Sequence, residues 1–151
     1  MIDNGKKAPS FELKNAAEKS VSLNDFKGEK VVLYFYPKDN TPGCTVEAKD
    51  FTALAPEFKK KDCVIIGVSK DSTKAHGNFI EKQELTIELL SDPEHEVIEK
   101  YEAWREKKNY GRTYMGIVRS TYLIDENGKI LNSWDNVRAK GHAQKVLESL
   151  S

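Results

Sequence analysis

The feature that most restricts the fold is a pair of continuous apolar segments, residues 31–36 and 64–68. Both are short and rich in β-branched or aromatic side chains, which is typical of strands buried on both faces of a sheet. Between them, residues 45–61 carry apolar side chains at helical spacing, among them Phe51 and Phe58. A helix between two buried strands implies a right-handed crossover, so we expect the two strands to be parallel neighbours.

The elements predicted around this unit have recognisable start or stop residues. They are an edge hairpin of residues 11–13 and 21–23, a helix over 72–82, a strand over 87–90, a helix that begins at Asp92 and Pro93, a hairpin of strands 121–124 and 129–134, and a helix over 140–150. By contrast, residues 103–115 are polar, basic and aromatic, and we predict a long loop there. This order predicts an α/β domain with a thioredoxin-like fold, in which a central mixed sheet is flanked by helices on both faces.

Length and charge narrow the possible functions. At 151 residues, the chain has the size of one domain spanning residues 1–151. Lys plus Arg and Asp plus Glu are both 24, so no net charge attracts nucleic acid or an anionic membrane. No apolar run approaches the roughly 20 residues of a membrane span, and residues 1–7 lack the apolar core of a signal peptide. These features predict a cytoplasmic protein without nucleic-acid or membrane partners.

Cys44 lies where the first buried strand gives way to the following helix. Pro37 ends the strand, residues 41–43 supply a turn, and Cys44 falls in the first helical turn. Ligand sites gather at the carboxyl ends of strands, and a helix N-terminus offers unpaired N–H groups and partial positive charge. Both effects favour a thiolate, so we predict a reactive cysteine. The alternative is a buried cysteine acting as a small hydrophobe, but its neighbours are turn residues rather than an apolar stripe.

The pattern Pro37-x-x-x-Thr41-x-x-Cys44 resembles the active-site motif of the peroxiredoxins. Residues 34–51 as a whole are similar to the bacterioferritin comigratory proteins, or peroxiredoxins Q. Weaker matches occur in the same order along nearly the whole chain, at residues 7–11, 114–121 and 137–143. The resemblance implies a thiol-dependent peroxidase whose substrates are hydrogen peroxide and organic hydroperoxides.

The resemblance also implies a role for each residue of the motif. Cys44 would attack the peroxide and become a sulfenic acid, while the Thr41 hydroxyl would bond the thiolate and the incoming oxygen. Arg119 would hold the thiolate and stabilise charge on the departing oxygen. The N–H groups of Gly43 and Cys44 would bind the peroxide, and Pro37 would shield the site from water.

Two further assignments keep an alternative interpretation. Glu47, one helical turn after Cys44, either orients an arginine or is an acid made favourable by the helix N-terminus. Arg119 without the family resemblance would be interpreted as a solvated residue at a strand edge. The resemblance favours the catalytic interpretation of Arg119 and a substrate-binding role for Gly43 and Glu47.

The second half of the reaction cycle needs a second thiol. Many members of the resembled group have a resolving cysteine five positions after the first, where this chain has Lys49, and others have it in the next helix, where residues 72–85 contain none. Cys63 begins the second buried strand, at the far end of the sheet, whereas a disulfide needs Cα atoms within about 7 Å. We therefore predict a buried structural Cys63, no resolving cysteine, and a one-cysteine mechanism completed by thioredoxin, glutathione or another external thiol. The alternative is an intermolecular disulfide between two copies of Cys44.

The remaining polar residues indicate no further chemistry. The three histidines, His76, His95 and His142, fall on different predicted helices without metal-ligand spacing, so we expect solvated side chains, no metal and no cofactor. The basic aromatic segment at 103–115 is predicted to pack near the active site rather than bind nucleic acid.

A reactive cysteine also occurs in two other classes of protein. A disulfide oxidoreductase of thioredoxin type needs Cys-x-x-Cys, and Glu47 occupies the second position. A non-catalytic redox sensor, in which oxidation of Cys44 alters a partner surface, stays open until turnover is measured. No long apolar extension suggests assembly, so we expect a monomer.

Overall fold

The computed structural model describes residues 1–150, and its central strands coincide with the apolar runs of the sequence. Within these residues the chain forms nine strands, four α-helices and one 3-10 helix. They are β1 (Glu12–Asn15), β2 (Ser20–Ser22), the 3-10 helix (Leu23–Phe26), β3 (Lys30–Phe35), α1 (Pro42–Lys60), β4 (Cys63–Ser69), α2 (Thr73–Gln83), β5 (Glu88–Ser91), α3 (Glu96–Lys100), β6 (Trp104–Asn109), β7 (Arg112–Ile117), β8 (Ser120–Ile124), β9 (Ile130–Trp134) and α4 (His142–Glu148).

Seven of the strands form one mixed sheet in the order β2-β1-β5-β4-β3-β8-β9. Strands β3, β4 and β5 are parallel, and the other neighbours are antiparallel. Val31 pairs with Val64 and Leu33 with Ile66, so the predicted parallel crossover unit is confirmed. The carboxyl ends of β3 and β4 therefore meet at one edge, where α1 begins.

Alternate residues of β3 point into two separate cores. On one face, Val32 belongs to a cluster with Phe51 of α1 and Val146 of α4. On the other face, Leu33 belongs to a cluster with Ile98 of α3. Because strands buried on both sides need apolar residues at every position, this arrangement explains the unbroken apolar runs. The prediction of a mixed sheet flanked by helices on both faces is confirmed.

Residues 103–115, predicted as a loop, instead contribute to a two-stranded antiparallel ribbon of β6 and β7. Its turn contains Tyr110 and Gly111, both with positive φ (51° and 76°), as in the tight turns of hairpins. The loop prediction was wrong because the ribbon exposes much of both faces. A strand of that kind lacks the apolar alternation by which half-buried strands are recognised.

Two helices are shorter than predicted. Helix α3 begins at Glu96 rather than at Asp92 and Pro93. The Asp92 carboxylate still serves this helix, because it accepts a hydrogen bond from the Ile98 backbone N–H at 2.9 Å. Helix α4 covers seven of the eleven residues predicted for it.

Helix α1 starts within the predicted turn, and helix α2 starts at its predicted capping residue. Thr41 is the N-cap of α1, with Pro42 as its first helical residue. Ser72 is the N-cap of α2, and its Oγ accepts a hydrogen bond from the Ala75 N–H at 3.1 Å. Among residues 1–150, no helix combines the length and the apolar content that crossing a membrane requires.

Candidate active site

Cys44 lies in the first turn of α1, beyond the carboxyl end of β3. Only 1% of the surface of Cys44 is exposed to solvent. The first N–H groups of a helix have no partner within it and point along the axis toward its start. Together with the helix dipole, they favour negative charge on the Cys44 sulfur.

Arg119 is placed beside Cys44 by the sheet. It immediately precedes β8, which runs antiparallel to β3 and pairs Ser120 with Phe35. Its Nη2 donates a hydrogen bond to the Cys44 Sγ at 3.3 Å, and its Nη1 donates to the Glu47 Oε1 at 2.6 Å. Arg119 thus bridges Cys44 and Glu47 of α1, although it lies 72 positions beyond Glu47 in the chain.

The charges of this group are fixed by burial and by one another. Glu47 is fully buried, and burial raises the pKa of its carboxyl to about 7, although Arg119 opposes the rise. Burial alone would lower the pKa of Arg119, but Glu47 and Cys44 together raise it above its ordinary value. The guanidinium is therefore a permanent positive charge held against the sulfur, and Glu47 is the residue that holds it.

Thr41 and Pro37 form the turn in front of the cysteine. The Thr41 Oγ1 donates its proton to the Lys38 carbonyl at 2.8 Å. Within residues 1–150, no hydrogen bond joins this hydroxyl to the Cys44 Sγ, in contrast to the expected bond to the thiolate. Pro37 is half-buried directly after the last residues of the central strand.

Gly43 supplies space for the arginine. A Cβ atom at this position would lie 3.2 Å from the Arg119 Nη2 and 3.9 Å from the Ala139 Cβ. A side chain here would therefore displace the guanidinium that contacts Cys44. The glycine is explained by this close approach as well as by the peroxide-binding role expected from the sequence.

Lys107, on β6, is a cation near the site, in the basic segment that the sequence predicted to pack there. Its Nζ donates a hydrogen bond to the Ile117 carbonyl at 2.9 Å, two residues before Arg119. Burial, followed by the positive charge of Arg119, lowers its pKa, whereas the Cys44 thiolate raises it. Because its segment was predicted as a loop, the sequence did not single out Lys107 among the basic residues, and the pairing of β6 with β7 fixes its position.

The prediction of solvated histidines is wrong for His76 and His142, which are both buried. The His142 Nε2 lies 2.8 Å from the Thr121 Oγ1. Burial lowers the pKa of His142 to about 4, so its ring is neutral at pH 7. The spacing of His76 three residues before the buried Phe79 places both on one helix face and could have revealed the first case.

Cys63 lies at the opposite end of the sheet, at the first position of β4, paired with Lys30. Both cysteines are free, and Cys63 is 4% exposed, so the predicted buried cysteine is confirmed. Its thiol contacts the Val64 carbonyl at 3.8 Å. Burial raises the pKa of Cys63 to about 12, which keeps it a neutral thiol.

Comparison with known proteins assigns this arrangement to a family. The AhpC/TSA family matches residues 4–133. A putative peroxiredoxin bcp of Helicobacter pylori (strain J99) is 50% identical over 149 residues, covering 99% of this chain and 98% of that protein. Peroxiredoxin Bcp of Bacillus subtilis is also 50% identical over 149 residues, covering 99% and 95%. The structure of Xanthomonas campestris peroxiredoxin Q matches with a TM-score of 0.89 at 41% identity, over 93% of this chain and 89% of that one. The resemblance seen in the motif around Cys44 is thus confirmed, and the chain belongs to the AhpC/TSA family, among the Bcp or Q-type peroxiredoxins.

Proposed function

We propose that this thiol peroxidase works by a one-cysteine mechanism, with Cys44 as the attacking residue and an external thiol as the reductant. The observation that carries the proposal is the Arg119 guanidinium, which contacts both the Cys44 Sγ and the Glu47 carboxylate. Hydrogen peroxide and organic hydroperoxides are the proposed substrates.

In the first step, the Cys44 thiolate attacks the terminal O–H oxygen of the hydroperoxide ROOH. An S–O bond forms and the O–O bond breaks, giving Cys44–SOH and an alkoxide that takes a proton to become ROH. The Arg119 guanidinium first contacts the negatively charged sulfur. It can then stabilise the negative charge as that charge moves to the departing oxygen. Because Glu47 already holds the guanidinium in place, little reorganisation is needed when the peroxide arrives.

The turn residues would orient the peroxide. The Thr41 hydroxyl donates a hydrogen bond to the Lys38 carbonyl. Its oxygen can therefore accept a hydrogen bond from the peroxide O–H. The N–H groups of Gly43 and Cys44, in the first turn of α1, would donate to the peroxide oxygens. Pro37 would limit access of water to this group, in keeping with its half-buried position.

In the second step, an external thiol R′SH attacks the sulfenic acid, giving the mixed disulfide Cys44–S–SR′ and water. A second thiol then releases R′S–SR′ and restores the Cys44 thiol. Two observations support external resolution. Lys49 occupies the position of the expected resolving cysteine and is exposed, and Cys63 is a neutral thiol at the far end of the sheet.

The test is mass spectrometry under non-reducing conditions after one equivalent of hydrogen peroxide, followed by turnover assays with several reductants. We expect a Cys44 sulfenic acid and many turnovers with thioredoxin, thioredoxin reductase and NADPH, or with glutathione. Cys44→Ser should abolish turnover and Cys63→Ser should retain it. A Cys44–Cys63 disulfide as the main product would contradict the one-cysteine mechanism. Consumption of a single equivalent with every reductant would favour the redox-sensor alternative.

We also propose the coarser setting expected from the sequence. Residues 1–151 would form one domain that acts as a monomer in the cytoplasm, where a reducing environment maintains free thiols. Partners would be the hydroperoxide and the reductant, without nucleic acid or membrane. Light scattering after gel filtration tests the monomer, with a dimeric mass as the contradicting result.

A further inference from the structure

A buried ion pair lies beneath the turn that leads to Cys44. Asp39 is in this turn, His76 is on α2, and both side chains are almost completely inaccessible. The His76 Nδ1 lies 2.7 Å from the Asp39 Oδ2. Neither residue contacts Cys44, so the mechanism proposed above does not use them.

The hydrogen bonds around His76 require two protons on or beside its ring. Its Nε2 lies 2.9 Å from the Leu90 carbonyl oxygen, which can only accept. Its Nδ1 faces a carboxylate, which also accepts when ionised. A neutral imidazole has one N–H and cannot satisfy both, so an additional proton is shared between Nδ1 and the Asp39 Oδ2. The pair is therefore an imidazolium–carboxylate pair or its proton-transferred equivalent.

The remaining atoms of Asp39 are also bonded. Its Oδ1 accepts a hydrogen bond from the Tyr36 hydroxyl at 2.6 Å. Its backbone N–H donates to the Asp71 Oδ2 at 2.9 Å, and the same oxygen accepts from the Ser69 hydroxyl at 2.7 Å. Ligand atoms of Asp39, Asp71 and His76 lie within 4.8 Å of one another, as in some metal sites, but the direct bond between Nδ1 and Oδ2 already uses the atoms that would coordinate an ion.

The turn itself has few other attachments. Asn40 has a positive φ of 63°, an unfavourable conformation that its surroundings must maintain. The Thr41 hydroxyl bonds within the turn, to the Lys38 carbonyl, and the Thr41 carbonyl accepts from the Thr45 N–H of α1. Asp39 is thus the point at which residues 37–43 are tied to α2 and to the end of β4.

Opening of this turn matters for the second step of the cycle. Cys44 is 1% exposed, so a protein or peptide thiol cannot reach its sulfur while the turn is closed. The closed turn, in contrast, is the arrangement in which Arg119 contacts the sulfur. Peroxide reduction therefore needs the closed turn and external resolution needs an open one.

We propose that Asp39 and His76 are positioning residues that set the balance between the closed and open turn. The inference rests on external resolution as proposed above. Weakening the pair should speed the reaction of Cys44–SOH with thiol and, to a smaller extent, slow the reaction with peroxide. It should also reduce over-oxidation, because the reaction Cys44–SOH + ROOH → Cys44–SO₂H + ROH takes place in the closed site.

The variants are Asp39→Asn, which keeps the shape and removes the charge pair, and His76→Gln, which cannot reach both partners. Ser72→Ala is the matched control: it removes the side-chain N-cap of the same helix, α2, and keeps both the Ser72 carbonyl that accepts the His76 backbone N–H and the bond between His76 and Asp39. Stopped-flow measurements give the two rate constants separately, and hydrogen exchange gives the opening of residues 38–45 without any reductant. Asp39→Asn also serves where His76→Gln does not fold.

We expect Asp39→Asn and His76→Gln to exchange the amides of residues 38–45 about tenfold faster, since a neutral hydrogen bond replaces a charge-assisted one in the first variant and one of two bonds of His76 is lost in the second. The thiol rate should rise by a similar factor, whereas the peroxide rate should fall much less, because the closed turn stays the major state and loses little of its population. Ser72→Ala should change neither rate. Unchanged exchange, equal slowing of both steps, or the same response in Ser72→Ala would overturn the inference. If external thiols fail to reduce the native sulfenic acid, the proposed function fails, and the exchange measurement still decides the role of the pair.

Discussion

Burial does not explain why Cys44 and Cys63 are expected to differ in reactivity. Cys44 is 1% exposed and Cys63 is 4% exposed, and buried cysteines are ordinarily inert. Only Cys44 receives a hydrogen bond from a guanidinium. Cys63 also borders a cleft of about 460 Å³, so open space does not locate the chemistry either.

The same two elements place the cysteines in opposite electrostatic settings. Helix α1 starts at the turn containing Cys44 and ends shortly before Cys63, so its partial positive end faces the first and its negative end the second. Strand β3 likewise begins beside Cys63 and ends beside Cys44. A crossover unit thus places Cys44 at the positive end of a helix and Cys63, whose pKa burial raises, at the opposite end of the sheet.

Of the substitutions at the two ends of the sheet, we expect Cys44→Ser to reduce peroxide turnover most. A hydroxyl in place of the thiolate cannot form the sulfenic acid, so peroxide turnover should fall by about 10³-fold or more. Peroxide consumption with excess reductant is the measurement, with thermal unfolding to show that the variant folds. If Cys44→Ser kept a tenth of the native rate, Cys63 or another group would have to be the attacking residue.

The next largest effect is expected for Arg119→Met, which removes the charge that distinguishes the two cysteines. The second-order rate constant with peroxide should fall by roughly 10²- to 10³-fold, the usual loss for a group that stabilises transition-state charge. Arg119→Lys keeps a charge but not the two-pronged contact with Cys44 and Glu47, and should recover only part of the rate. A loss below threefold in Arg119→Met would mean that the helix N-terminus alone activates the thiolate.

The sequence predicted those parts of the molecule that depend on local pattern. The buried strands β3 and β4 and the helix between them follow from unbroken apolar runs and helical spacing. The ribbon of β6 and β7 could not be recognised, because its exposed faces carry no alternation of apolar and polar residues. For the same reason the sequence placed the basic segment near the site without singling out Lys107.

The site divides in the same way. Cys44 and Glu47 are one helical turn apart, so their proximity could be predicted from the chain alone. Arg119 is 75 residues from Cys44, and only the family resemblance pointed to it. The buried pair of Asp39 and His76 spans 37 residues between a turn and a helix, and polar contacts of this kind leave no periodic trace in a sequence.

We expect a smaller loss of peroxide rate for Glu47→Gln. This variant tests whether the ion pair between Arg119 and Glu47 contributes to the reactivity of Cys44. The amide oxygen can still accept the hydrogen bond from Arg119, but without charge. The peroxide rate at pH 8 should fall about tenfold, which corresponds to the roughly 1.4 kcal/mol by which charged bonds exceed neutral ones. An unchanged rate at pH 8 would mean that Glu47 only fills space.

Glu47 also predicts a pH dependence of stability. Its pKa is about 7 in the folded chain against an ordinary value of 4.5, so between these values the folded chain holds a proton that the unfolded chain has released. The contribution of this group to the free energy of unfolding therefore falls as pH rises from 4.5 to 7, by roughly 3 kcal/mol at most. Urea unfolding of the native chain and of Glu47→Gln at pH 5 and pH 8 measures it. The native chain should lose more stability over this interval than the variant; the same change in both would contradict the raised pKa.

The smallest effect on activity is expected for Cys63→Ala. This variant tests most directly whether Cys63 takes no part in the chemistry of Cys44. Because Cys63 is a neutral buried thiol, its removal should leave the peroxide and thiol rates within about twofold. The lost sulfur leaves a small cavity next to the cluster of Val32 and Phe58, so the free energy of unfolding should fall by about 1 kcal/mol. Alkylation of the folded chain by iodoacetamide, followed by peptide mass mapping, should modify Cys44 well before Cys63. A large loss of turnover in a stably folded Cys63→Ala chain, or equal alkylation of both cysteines, would show that the two ends of the sheet are not chemically separate.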